Sequence, residues 1–116
     1  MSQHYFMGID IGTYESKGVV IDGECNVIAS HSEKHGMENP QPNFFEHDAE
    51  EVWWGDFCKI SKNLLKKAGL SGSDIAAVGA STLGADLVAV DENCVPLRKA
   101  ILYGIDARAK IGRAHV

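Results

Sequence analysis

Three short apolar runs, residues 5–11, 17–22 and 27–33, follow one another with only turn-length gaps between them. Gly12 stops the first run. Asp22-Gly23-Glu24 is a turn signal after the second, and the third alternates in polarity. Gaps this short join neighbouring antiparallel strands, because a parallel connection needs a crossover of a dozen residues or more. The start of the chain is therefore expected to be a three-stranded antiparallel meander.

Residues 34–47 are polar and broken by Pro40 and Pro42, which predicts a loop. Asp48 then has the character of a helix N-cap, with Glu51 three residues later as in a capping box. The spacing of Val52, Trp53, Phe57, Ile60, Leu64 and Ala68 predicts one apolar helical face, and Gly69 ends the helix. Trp53 lies on that stripe and is expected in the core. Residues 75–80 are small and apolar, which predicts a strand buried on both faces. Residues 87–90 and 100–103 are expected to be two more strands, joined by a turn at Asp91-Glu92-Asn93, and Asp106 to open a further helix. The expected class is α/β, with a β-β-β-α-β core plus a hairpin.

Composition narrows the function. The 116 residues suit a single domain, and at 45% hydrophobic and 23% charged the chain is expected to be globular. The net charge is −5 with no basic block, which argues against nucleic acid as a partner. No apolar run approaches the length of a membrane span, and the polar N-terminus does not read as a signal peptide. Cys25, Cys58 and Cys94 are far apart and form no CxxC pair, so reduced thiols in a cytoplasmic protein are expected. The histidines form no metal-binding spacing, and His31 and His35 are expected on the surface.

The chemistry is concentrated in GIDIGTYESKGVVID, residues 8–22. Gly12 permits a tight turn or close backbone approach to a ligand. Amides around Thr13 can converge on an anion. Asp10, near the end of a central strand, makes sense if a cation sits in front of it. Its hard oxygens suit Mg²⁺, which keeps its waters and bridges to phosphates. The pattern is not a Walker A loop, since GxxxxGK[ST] is absent. On these residues alone, a plain hairpin in which Asp10 caps its own turn is the alternative.

In this order of elements, GIDIGTYESKGVVID resembles the first phosphate motif of the FGGY carbohydrate kinases, a family of xylulokinase-like and glycerol kinase-like enzymes. NPQPNFFEHDAEEVWW is similar to that family's Pro-rich loop and acidic, Trp-containing helix. DIAAVGAS, followed by LVAVDENCVPLRKAILYGIDARA, is similar to its next strand, hairpin and following segment. The resemblance covers about residues 5–109. It implies an actin-like ATPase (ribonuclease H-like) domain, here incomplete, and ATP-dependent phosphorylation of a sugar or polyol hydroxyl. An actin-like nucleotide-switch ATPase or scaffold is the alternative from another class.

The resemblance further implies that Asp10 holds the Mg²⁺ shell through water and that Gly12, Thr13 and Tyr14 face the ATP phosphates. Lys17 would stabilise charge on the transferred phosphoryl group. Tyr14 and Glu15 depart from the small residues usual there, and Glu15 is expected to point away from phosphate or to weaken its binding. On the substrate side the usual polar triplet is replaced by Leu83-Gly84-Ala85. That leaves Asp86, Tyr103 and Asp106 as candidate sugar contacts, with Arg108 expected in a structural salt bridge. The general base and adenine pocket of the family lie in segments with no counterpart here, so the 116 residues alone are expected to be inactive. The resemblance also admits a homodimer of the longer protein. Residues 1–110 are expected to be the N-terminal part of the first kinase domain. The final IGRAHV fits ATC GGA AGA GCA CAC GTC, a common sequencing-adapter DNA whose next codon is a stop. Residues 111–116 are therefore expected to be a non-native tail.

Overall fold

The computed structural model describes residues 4–109. The meander is present as β1 (Tyr5–Ile11), β2 (Glu15–Asp22) and β3 (Val27–Lys34). Two residues in a short strand follow, β4 (Glu46–His47), and then a helical segment. That segment opens with a wide π turn over Ala49–Trp54 and continues as α1 (Gly55–Ala68). A single 3-10 turn, Gly72–Asp74, leads into β5 (Ile75–Thr82), and β6 (Ala100–Ile101) comes last. The main sheet has the order β3-β2-β1-β5, antiparallel throughout the meander and parallel between β1 and β5. No helix among the described residues is long and apolar enough to cross a membrane.

Strand alternation and helical spacing meet in one core. Met7, Ile9 and Ile11 of β1, Val20 of β2 and Ala29 of β3 point to the same side of the sheet. Ile60 and Leu64 of α1 close over them, with Trp53, Phe57 and Ala68 half-buried at the margin. Asp48 caps the helical segment as expected: its Oδ1 accepts from Glu51 N at 2.9 Å. Gly69 ends it in the left-handed region at φ 67°, and Leu70 N reaches back to Leu65 O at 3.0 Å.

Gly18 is where helix and sheet come closest. A Cβ there would collide with Ile60 Cγ2 and lie 2.9 Å from Leu64 Cδ1. Gly18→Ala must push α1 off the sheet, and overpacking of this kind costs about 1–3 kcal/mol. The expected result is a lower urea midpoint at unchanged slope; an unchanged midpoint would mean that α1 is not seated on β2.

Three expectations differ from the structure. β5 is not buried on both faces. The helix α1 lies mainly over β1, β2 and β3, so Met7 is buried while Val78, its register partner on β5, is 51% exposed. The run 87–90 is not a strand: Leu87 and Val90 make single bridges to Ile101 and Pro96. β6 pairs instead with β4, an antiparallel partner recruited from the last two residues of the expected loop. Pro96 contributes no N–H that could extend a hairpin ladder. The turn itself is present, since Asp91 Oδ1 accepts from Asn93 N and Val95 N at 2.8 and 3.0 Å. Finally, residues 106–109 are not helical, because the Asp106 side chain is engaged in tertiary bonds.

Candidate functional site

The turn between β1 and β2 is closed by Gly12 N on Glu15 O at 3.0 Å. A Cβ on Gly12 would stand 2.7 Å from that same oxygen, so the tight closure needs glycine. Asp10 sits on the sheet face opposite α1. It is not a buried charge: its carboxylate is exposed, and Oδ1 accepts from Ser81 Oγ of β5 at 2.7 Å. In register it stands between Ser81 and Lys17. Lys17 Nζ is 3.3 Å from Glu15 Oε1, so the carboxylate that departs from the motif is paired with the adjacent cation.

Asp10, Gly12, Thr13, Tyr14 and Lys17 thus come together, with Glu15 and Lys34, around one concavity of about 530 Å³. All five residues predicted for phosphate and metal line it. Among the described residues no group of three acidic, histidine or cysteine side chains is arranged to hold a metal. One exposed carboxylate beside an open hollow fits an ion that keeps most of its waters, as Mg²⁺ does.

The substrate-side candidates do not line this concavity. Asp86 Oδ1 accepts from Tyr103 N at 2.7 Å, which brings those two together. Asp86 Oδ2 is buried without a hydrogen-bond partner among the described residues. The side chain of Tyr103 is not a core aromatic, being part of a residue 71% exposed. Asp106 stands elsewhere. Its carboxylate takes Phe45 N at 2.8 Å and Arg108 Nε at 2.9 Å, and its side chain is 3% exposed. Arg108 also reaches Glu46 Oε2 at 2.8 Å and lies 4.0 Å over the Phe44 ring. Hydrogen bonding from Arg108 holds the Asp106 carboxyl down to about 2. In this structure Asp106 serves the fold, and Arg108 is the salt bridge that its position predicts.

Four polar residues behind the turn, Ser16, His35, His47 and Asp56, have no role at the site in the sequence reading. His35 is not a surface residue; its side chain is 6% exposed. His35 Nε2 lies 2.8 Å from Gly12 O and 3.1 Å from Thr13 O, and Nδ1 lies 2.8 Å from Asp56 Oδ2. The buried Ser16 donates to the same Asp56 oxygen at 2.7 Å. His47 Nε2 is 2.9 Å from both Thr13 O and Gly36 O, and Trp53 Nε1 donates to His47 Nδ1 at 3.1 Å. A sequence signal for two of these residues exists. Asp56 stands in line with Ile60 and Leu64 at four-residue spacing, and Ser16 alternates with Gly18 and Val20, so both must face the core.

Residues 5–111 of the sequence match the family described as "FGGY family of carbohydrate kinases, N-terminal domain". The chain belongs to the FGGY family. A glycerol kinase from Caldanaerobacter subterraneus is 32% identical over 100 residues, which are 85% of this chain and 20% of that protein. The chain spans between 16% and 20% of the length of the curated relatives it best matches. The crystal structure of gluconate kinase from Lactobacillus acidophilus superposes with a TM-score of 0.87 at 25% identity, over 98% of this chain and 22% of that one. Plasmodium falciparum glycerol kinase, solved with ADP, superposes at 0.80 and 20% identity over 97% of this chain and 22% of its own, a likeness of fold alone. The fold is the actin-like ATPase fold of these FGGY kinases, as an incomplete α/β domain with a mixed sheet.

Proposed function

We propose that this FGGY chain forms the phosphate-binding wall of an ATP site in a longer protein that phosphorylates a sugar or polyol hydroxyl. The observation that carries the reading is the gathering of Asp10, Gly12, Thr13, Tyr14 and Lys17 around one hollow. Residues 1–110 then belong to the first kinase domain. The reading of 111–116 as a non-native tail concerns residues outside those described.

In this reading the amides at Thr13 and Tyr14 bind phosphate oxygens, and Asp10 Oδ2 holds the water shell of Mg²⁺. The ion, when bound, neutralises phosphate charge so that in-line transfer to a hydroxyl can proceed. Lys17 carries the mobile cation: exposed and only loosely paired with Glu15, it can turn towards the transferred group. On the substrate side, Asp86 Oδ2, which lacks a donor, and the exposed Tyr103 ring are assigned to sugar contact. A sugar hydroxyl would satisfy the buried oxygen.

The test measures ADP release by the longer protein with ATP and, in turn, glycerol, xylulose and gluconate. Acceptor-dependent release is expected with at least one, and none from the 116 residues alone. ATP hydrolysis indifferent to every acceptor, accompanied by filament formation, would favour the actin-like switch instead.

A further inference from the structure

The proposed phosphate turn is gripped from behind by two imidazoles in different hydrogen-bonding surroundings. Each atom facing the His35 ring nitrogens is an acceptor. Nε2 faces the carbonyl oxygens of Gly12 and Thr13, and Nδ1 faces Asp56 Oδ2, which already receives the Ser16 hydroxyl. With Asp56 ionised, both ring nitrogens are placed to donate. Its surroundings are Asp56 from α1, Ser16 from β2 and the His47 ring, edge-on with centroids 4.9 Å apart. His47 is different: Nδ1 accepts from Trp53, which leaves a single N–H on Nε2 and a neutral ring.

The grip decides which way the turn's amides point. In a trans peptide the carbonyl and the following N–H face opposite directions. Drawing Gly12 O and Thr13 O towards the histidines turns Thr13 N–H and Tyr14 N–H away from the core. Among the described residues neither amide has an acceptor, whereas Gly12 N is closed on Glu15 O.

We propose that His35, kept doubly protonated by Asp56 and Ser16, is a positioning residue that aims the Thr13 and Tyr14 amides at nucleotide phosphate. The charge also lies directly behind the turn, where it adds to the field an anion meets. The proposal rests on the reading of this turn as a phosphate site.

The test reads ring and amide signals in the ¹⁵N-labelled 116-residue chain and MgADP affinity in the longer protein that completes the proposed site. In the unsubstituted chain both His35 ring nitrogens are expected to show the protonated signature at neutral pH. Asp56→Asn is expected to leave one neutral tautomer and to shift the Thr13 and Tyr14 amide signals. His35→Gln, which can donate to only one side, is expected to raise the MgADP Kd about tenfold, the equivalent of one hydrogen bond's net worth. Ser16→Ala, the mildest change, is expected to raise it about threefold and to lower the melting temperature, since a buried bond to the Asp56 carboxylate is lost. A neutral His35 ring in the unsubstituted chain overturns the proposal. So does His35→Gln with unmoved turn amides and unchanged Kd. If Asp56→Asn does not fold, the ring signature and Ser16→Ala still decide. A longer protein that binds no MgADP, while the chain shows the expected ring and amide signals, overturns the phosphate reading and upholds the positioning of the turn.

Discussion

Asp10→Ala in the longer protein is expected to lower ATP-dependent phosphorylation by at least about a hundredfold, the usual scale for losing a group that organises transition-state charge. The fold should not suffer, because Asp10 is exposed and gives up only the hydroxyl bond from Ser81. The measurement pairs initial rates with a thermal melt of the same sample. Loss of activity at an unchanged melting temperature places Asp10 in the chemistry. Unchanged turnover removes it from the site, and the hollow around it would then need another occupant.

Arg108→Met is expected to have the opposite profile, a loss of stability that does not depend on nucleotide. The guanidinium joins Asp106 and Glu46, whose side chains are nearly out of solvent, and stacks on Phe44. Removing the cation leaves two carboxylates without it, and breaking a buried pair from one side costs about 3–5 kcal/mol. Urea unfolding of the chain measures this directly; a change below about 1 kcal/mol would mean that Arg98, the other partner of Glu46, suffices for the cluster. Acid should mimic the substitution. The Asp106 carboxyl is lowered from its ordinary 3.8 to about 2 in the folded chain. A lowered folded value contributes stability that is complete above the unfolded value and is lost as pH falls through the folded one. The chain should therefore lose stability between about pH 4 and pH 2, and Arg108→Met should flatten that loss.

Both residues were visible in the sequence, with different clarity. Asp10 was legible because its neighbours explain it: a strand, then glycine and threonine, then another strand is a local pattern, and the meander brings its parts together without help from afar. Asp106 was offered as a sugar contact, yet its carboxylate faces Phe45 N and Arg108. Nothing in LYGIDARA announces a partner sixty-one residues earlier in the chain. β6 was misjudged for the same reason, since its partner β4 lies in a segment with no strand signal of its own.

The sequence by itself determined the meander, the capped amphipathic helix and a strand at 75–80, and its resemblance to the kinases singled out the five residues that line one hollow. Short turns leave adjacent strands little choice of partner, and helical or strand periodicity assigns each side chain a face. Only the tertiary structure decided what lies behind the turn. His35 and Asp56 are twenty-one residues apart on separate elements, and each reads as an ordinary polar residue in its own neighbourhood. Packing α1 against β2 excludes water from both, and once dry they must satisfy each other and the carbonyls of Gly12 and Thr13. That requirement comes from burial, which no local pattern encodes.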